Sequence, residues 1–251
     1  MVLKAVLFDM GDTLVHAKPK GRWVRLEQVV SIISKGNQEL SKMLKRTIEI
    51  QWERYNESLV TLEEVRIQDS LDQAVTECGA SVTPLEQQII LTETMDYLGT
   101  RMALYADAIS TLAHLSSLGL KLGIVSNVSF AGKHYEKLFE QWGIKHYFGG
   151  FAWSSDVGKR KPHPDIFHEA LELLNIDPAC AIHVGDLLVP DILGAHRAGL
   201  MGAAWINRGD PPERPLSSGR AGKTDPPVLP DWTIQELSEL IPIVEQLLKS
   251  A

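Results

Sequence analysis

Cysteine is nearly absent from this chain: Cys78 and Cys180 are the only two in 251 residues, and neither stands in a CxxC or CxxH spacing. That excludes a disulfide framework and a cysteine-based metal site, and it fits reduced thiols in a cytoplasmic protein. Long apolar runs are missing too. No window approaches the roughly eighteen apolar residues that a membrane-spanning helix needs, so no membrane partner is expected. The N-terminal run VLKAVLF bears one lysine and no small-residue cleavage site, which predicts no signal peptide. Positive charge is in deficit, with 25 Lys and Arg against 32 Asp and Glu and a net charge of -7. No basic cluster is longer than GKRKPH, so nucleic acid is not the expected partner. Internal repeats and low-complexity tracts are absent as well.

What is present reads as an ordinary globular chain, 44% hydrophobic and 23% charged. Its length suits one large α/β domain, or a medium domain that carries a smaller one. Five short runs, VLKAVLF, LKLGIVS, GGFAWSS, CAIHVG and GAAWIN, are rich in Val, Ile, Ala and aromatics and are bounded by turn residues. Helical patterns alternate with them. In PDIFHEALELLN, Ile166, Phe167, Ala170, Leu171 and Leu174 form one stripe; in DAISTLAHLSSLG the stripe is Ile109, Leu112 and Ala113, with Gly119 as the C-terminal stop. PDILGAHRAG opens with Pro190 in a first-turn position. Apolar strands alternating with helices predict a parallel sheet covered on both faces, a Rossmann-like three-layer α/β core.

One region breaks the alternation. Between about His16 and Tyr105 no run reads as a strand, and RLEQVVSIISKG and LEEVRIQDSLDQAVTECG show helical spacing. About ninety residues are too many for a loop in a compact domain. The expected organisation is therefore a core of residues 1–15 and 105–251 with an inserted α-helical domain at 16–104. The stretch NRGDPPERPLSSGRAGKTDPPVLPDW, dense in Pro and Gly, is expected to be a surface loop. The tail IQELSELIPIVEQLL returns to a helical stripe that Pro242 kinks or divides.

In a parallel sheet, ligands bind beyond the C-terminal ends of the strands. The first strand ends in Asp9 and the second in Ser126, followed by Asn127. Lys161 precedes the helix that starts near Pro164, and another strand runs into Gly185-Asp186, with Asp191 five residues later. Parallel strands collect these carboxylates, one cation and one hydroxyl at a single edge.

With FDMGDTL, IVSN, KPHP and GDLLVPD in order, the chain resembles the haloacid dehalogenase-like hydrolases, in the branch with a helical cap inserted after the first strand. The likeness is close over Val2 to Trp23 and about Tyr105 to Arg208; the cap matches only in length and helical character. The resemblance implies a Mg²⁺-dependent phosphatase-type hydrolase acting on a small phosphorylated molecule. It makes Asp9 the nucleophile that becomes an aspartyl phosphate. It also implies Mg²⁺ on Asp9, Asp186 and the main-chain carbonyl of Gly11, with Asp191 acting from behind them. Lys161 then holds the phosphoryl group against Asp9, and Ser126, with Asn127, binds phosphoryl oxygens. His163 and His183 match no motif position and are read as structural. Substrate entry implies that the cap opens about two linkers, near Val15–Pro19 and near Leu104–Asp107.

The chain departs from that pattern at one place. Related phosphatases carry a second aspartate two residues after the nucleophile, to protonate the leaving group; here Gly11 stands there, and the extra acid, Asp12, lies one position on, where a structural role in the turn is expected. A missing general acid costs about 10²–10⁴-fold in rate. Two alternatives follow: a phosphonatase- or dehalogenase-like reaction, with Lys18 or Lys20 as an imine-forming lysine in the first case, or a degenerate member that binds phosphate or a partner without turnover. The segment HAKPKGRW, with Lys18, Lys20 and Arg22, reads as a solvated linker or an anion-attracting one. Trp23, Trp52 and Tyr55 read as cap core or as a wall of the substrate site.

Overall fold

The protein is described here from a computed structural model over residues 2–18, 26–209 and 227–249, with only the main chain of Leu26. Pro19, Lys20, Arg22, Trp23 and most of the Pro- and Gly-rich stretch after Asn207 lie outside the described residues. The elements in chain order are β1 (Ala5–Phe8), β2 (Val15–Ala17), α1 (Leu26–Ser34), α2 (Gln38–Thr61), α3 (Ile67–Cys78), α4 (Pro84–Thr100) and β3 (Met102–Leu104). There follow α5 (Ala108–Ser117), β4 (Lys121–Ser126), α6 (Gly132–Gln141), β5 (Phe148–Trp153), α7 (Ser154–Val157) and α8 (Pro164–Leu174). The chain closes with β6 (Ala181–Gly185), α9 (Gly194–Arg197), β7 (Gly202–Ile206), β8 (Trp232–Ile234) and α10 (Leu240–Lys249).

Six strands form one sheet in the order β5-β4-β1-β6-β7-β8, and every neighbouring pair is parallel. β1 lies near the centre, with Ala5 in register with both Lys121 and Ala181. Its side chains alternate between faces, as the pleat requires. Val6 and Phe8 join Leu112, Phe139 and Val244 on the side of α5, α6 and α10, while Ala5 and Leu7 join Phe167 and Leu171 of α8 on the other. Both faces of β1 are buried, which is why its sequence is continuously apolar up to Asp9. The result is the expected three-layer α/β fold.

Helices α1 to α4 build a separate apolar cluster from Val29, Val30, Ile33, Met43, Leu44, Ile50, Leu71 and Ala74. Two features of this region differ from the sequence reading. The chain enters and leaves through an antiparallel ribbon, Val15 opposite Leu104 and Ala17 opposite Met102, where no strand was expected. Strands of three residues show too little alternation to read, and each finds its partner only across the whole insertion. The segment LEEV is not helical: Leu62, at φ +59°, ends α2, and α3 starts at Ile67.

Three smaller differences lie elsewhere. The buried stripe of α5 is Ala108, Thr111, Leu112 and Leu115, and Ile109 is 48% exposed, because it lies off the face that these four residues share. Strand β8 was unforeseen because only three residues follow a Pro-rich stretch. Pro242 sits in the first turn of α10, where its missing N–H breaks no hydrogen bond, and a 3₁₀ turn at Leu237–Glu239 precedes the helix. Among the other expected cap aromatics, Trp52 is 42% exposed and Tyr55 lies against Arg160, 4.5 Å from the ring centre.

Candidate active site

β1 carries the chain to Asp9, whose N–H donates to Val184 O at 2.9 Å and so extends the sheet one residue. β4 ends in Ser126, and its hydroxyl donates to Asp9 Oδ1 at 3.0 Å. The Lys161 ammonium donates to the same oxygen at 2.7 Å and to Asp191 Oδ1 at 2.5 Å. Residues separated by 117 and 152 positions thus share one carboxylate oxygen. All four side chains are nine-tenths or more buried. Asp9 Oδ2 takes part in none of the hydrogen bonds among the described residues, so one oxygen of the carboxylate is pinned and the other is open.

Asn127 does not point away into the site. Its Oδ1 accepts the Lys161 N–H at 2.7 Å and its Nδ2 donates to the Lys161 carbonyl at 3.1 Å. The carboxamide is a brace for the lysine backbone. Asp191 is likewise committed to the protein: Oδ1 accepts from Lys161 and from His183 Nε2 at 3.0 Å, and Oδ2 accepts the Leu187 N–H at 2.9 Å. It lies on a π-helical turn, Leu188–Leu193, packed tightly over the end of β6. A Cβ on Gly185 would come 2.2 Å from the Asp191 Cγ, which explains the glycine of GDLLVPD by close approach.

Burial alone disfavours the charged forms here, and the charges compensate one another. It pushes the Lys161 ammonium down, but Asp191 and Asp9 outweigh it and hold the pKa above the ordinary lysine value. It pushes Asp191 up, and Lys161 and His183 reverse that, so the carboxyl stays below the usual range. Burial wins at His183, whose pKa is lowered, so the ring is neutral at pH 7. Since a carboxylate only accepts, Nε2 carries the proton to Asp191, and Nδ1 is buried with no partner among the described residues. His183 was read as structural; its signal was a histidine in an otherwise fully apolar strand. His163 caps α8, its Nδ1 accepting the Asp165 N–H at 3.3 Å.

Asp186 follows β6 directly, and its main-chain carbonyl accepts the Trp205 indole N–H at 2.8 Å. Gly11 lies in the turn after β1, bridged to Val15. Its φ is not left-handed; the left-handed residue of that turn is Asp12, at +56°. A Cβ on Gly11 would meet nothing within 4 Å, so a side chain can start there without a clash. Asp12 donates its N–H to Val15 O at 2.7 Å and shapes the turn.

No group of three or more His, Cys, Asp or Glu side chains among the described residues stands ready to hold a metal. The donor chemistry nevertheless fits a hard cation. Asp9 Oδ2 and the Gly11 carbonyl enter no hydrogen bond among the described residues, and one ammonium stands between two buried carboxylates. Such a site is short of positive charge, and hard oxygen donors match Mg²⁺.

A family profile for haloacid dehalogenase-like hydrolases matches residues 3–199. The chain belongs to this family. A second profile, HAD-hydrolase-like, matches residues 159–240, the part that carries Lys161, Asp186 and Asp191. The chain is similar to a glyceraldehyde 3-phosphate phosphatase of Methanopyrus kandleri, 32% identical over 99% of this chain and 100% of the relative. A protein of the same name from Methanocaldococcus jannaschii is 27% identical over 99% and 100%. Among solved structures, a HAD phosphatase from Thermococcus onnurineus aligns with TM-score 0.61 at 26% identity, over 96% of this chain and 98% of the other. The protein is therefore an enzyme of the HAD-like hydrolases.

Proposed function

We propose that this HAD-like hydrolase is a Mg²⁺-dependent phosphatase for a small phosphate ester, working through an aspartyl phosphate on Asp9. The observation that carries the reading is the asymmetric environment of Asp9, with Oδ1 held by Lys161 and Ser126 and Oδ2 open. The full-length similarity to phosphatases of a three-carbon phosphate supports the substrate class. In the first step the Asp9 carboxylate attacks phosphorus, the bond to the leaving oxygen breaks, and that oxygen takes a proton from water, leaving hydroxide. In the second step water attacks the phosphorus of the aspartyl phosphate and gives up a proton to the hydroxide left by the first step, restoring the carboxylate and releasing orthophosphate. Lys161 and Ser126 orient the phosphoryl oxygens, and Asn127 keeps Lys161 in place. Asp9, the Gly11 carbonyl and Asp186 would hold Mg²⁺, which when bound neutralises charge on the phosphoryl group. Asp191, with both oxygens engaged, acts on this set through Lys161.

In this reading residues 16–104 are the cap, and it swings on the Val15–Ala17 and Met102–Leu104 ribbon to admit substrate. The direct test is a screen of glyceraldehyde 3-phosphate, aryl, acyl and alkyl phosphates, phosphonates and 2-haloacids, with Mg²⁺ and with EDTA. Phosphate release from esters that EDTA abolishes is the expected result; turnover of phosphonates or haloacids alone overturns the reading.

Calorimetry separates the two later aspartates. Asp186→Ala is expected to weaken Mg²⁺ binding beyond the roughly 10–100-fold that loss of a supporting residue such as Asp191 causes. The reverse order would exchange their roles.

Gly11→Asp tests the vacant position. Because Gly11 needs no left-handed φ and its Cβ meets open space, the variant should fold with wild-type stability. It would place a carboxyl where relatives of this type keep their acid. Turnover of alkyl phosphates is expected to rise by about 10-fold or more, and turnover of acyl phosphates, which need no proton on leaving, by far less. A folded, Mg²⁺-binding variant with no gain on alkyl phosphates would show that protonation is not limiting.

A further inference from the structure

The helical insertion touches the core at a second place, far in sequence from the ribbon. The α2–α3 connector, residues 62–66, lies antiparallel to the segment just before Lys161. Arg160 N–H donates to Leu62 O at 3.0 Å, Glu64 N–H to Gly158 O at 2.9 Å, and Glu63 and Lys159 form an ion pair across the bridge. One residue past the connector, Ile67 N–H donates to Ser129 O at 2.9 Å. The side chains repeat the link in a buried setting. The Ser154 hydroxyl donates to Glu64 Oε2 at 2.7 Å and accepts the Val128 N–H at 2.8 Å. The Arg160 guanidinium donates to Ser58 Oγ at 2.5 Å, stacks on Tyr55 and lies 3.9 Å from Glu64. Glu64 and Arg160 side chains are only 4% and 7% exposed, a degree of burial that a solvated surface contact does not reach.

These contacts converge on the loops that carry Ser126–Asn127 and Lys161. We propose that the 62–66 connector is a strap, with Glu64 as a positioning residue that acts through Ser154 on the Val128 turn while Arg160 ties Lys161 to the insertion. Ser126 and Lys161 are then correctly spaced around Asp9 only when the insertion is seated. This makes cap closure and assembly of the phosphoryl site one event, so water that enters an open cap meets an unassembled site. The inference rests on the phosphatase reading of Asp9 for its rate consequence, but not for its structural one.

The experiment uses the full chain with Mg²⁺ and the ester found in the substrate screen. Glu64→Ala and Ser154→Ala are each expected to lower kcat/KM by about 10–100-fold, mostly in kcat, because small misplacement of positioning groups has effects of that size. Their double variant is expected to lose clearly less than the sum of the two single losses, since both remove the Glu64–Ser154 bond while each also breaks contacts of its own. Hydrogen exchange, which needs no turnover, is the second readout: in Glu64→Ala the amides of Arg160 and Ile67 should exchange at least about 10-fold faster, while those of β1 stay unchanged. Additive losses, or unchanged exchange at Arg160 and Ile67, overturn the strap. If the wild type turns over no ester, the phosphatase reading fails by itself and the exchange result still judges the strap. Should Glu64→Ala not fold, Glu64→Asp, which keeps the charge and withdraws it by one methylene, takes its place under the same criteria.

Discussion

Asp9→Asn is expected to abolish ester hydrolysis, by about 10⁴–10⁶-fold in kcat, while leaving the fold intact. Asparagine keeps the shape of aspartate and can still accept from Ser126 through its carbonyl oxygen, so the end of β1 need not move. What it loses is the open anionic oxygen: an amide nitrogen has no lone pair to offer phosphorus. Lys161 keeps Asp191 as a partner at 2.5 Å, so the buried ammonium is not left alone. Loss of turnover with retained melting temperature and retained orthophosphate binding is the predicted combination, read by phosphate release and by calorimetry. Wild-type turnover by the variant would remove Asp9 as nucleophile, whatever the geometry around it.

Lys161→Met is expected to damage both stability and rate. Methionine has nearly the same reach and is at home in a buried position, so cavity formation contributes little. The damage comes from Asp9 and Asp191, two buried carboxylates that would face each other without the ammonium between them. Removing one partner of a buried ion pair destabilises by about 3–5 kcal/mol, which for a chain of this size lowers Tm by on the order of 10 °C. Mg²⁺ should return part of that stability by supplying charge, without restoring the rate, because the hydrogen bond that orients the phosphoryl oxygen is gone; the rate loss is expected to be at least about 10²-fold. A variant within about 2 °C of wild type would mean that the carboxylates are protonated or solvated rather than held by Lys161. The pH dependence has a definite sign. Because the folded pKa of Lys161 lies above its ordinary 10.5, its contribution to stability is complete below that value and is lost as pH rises through the folded one. Wild type should therefore lose stability in strong alkali by a component that Lys161→Met lacks.

Much of the architecture was legible because it depends on local chemistry. The alternation of short apolar runs with helical stripes is a direct record of a sheet buried on both faces, and Val6, Leu7 and Phe8 could be no other kind of strand. The ends of those strands were legible for the same reason: a carboxylate such as Asp9 after a continuous apolar run marks the point where the strand gives way to a buried polar site. Helix α8 was legible because the five positions of its stripe, Ile166, Phe167, Ala170, Leu171 and Leu174, are all buried, with Leu173 the one exposed apolar residue off that stripe. Helix α5 was misread by one position because Ile109 is apolar but exposed, and an apolar residue on a surface leaves no trace in the pattern.

Sequence alone thus determined the α/β class, the helical insertion, the absence of any disulfide framework, and the acids, lysine and serine at the strand ends. It did not determine which of these groups touch. That Asn127 braces Lys161, that His183 and Leu187 take up the oxygens of Asp191, and that Gly11 leaves open volume without a left-handed backbone are set by contacts between segments far apart in the chain. The ribbon of β2 and β3 and the strap at Glu63–Lys159 belong to the same class, each a few residues long and meaningless until its partner arrives from 85 or more positions away. The physical reason is range. Periodicity and turn chemistry act within a dozen residues, whereas a buried charge is satisfied by whatever the completed fold brings within hydrogen-bond distance, and only the tertiary structure decides that.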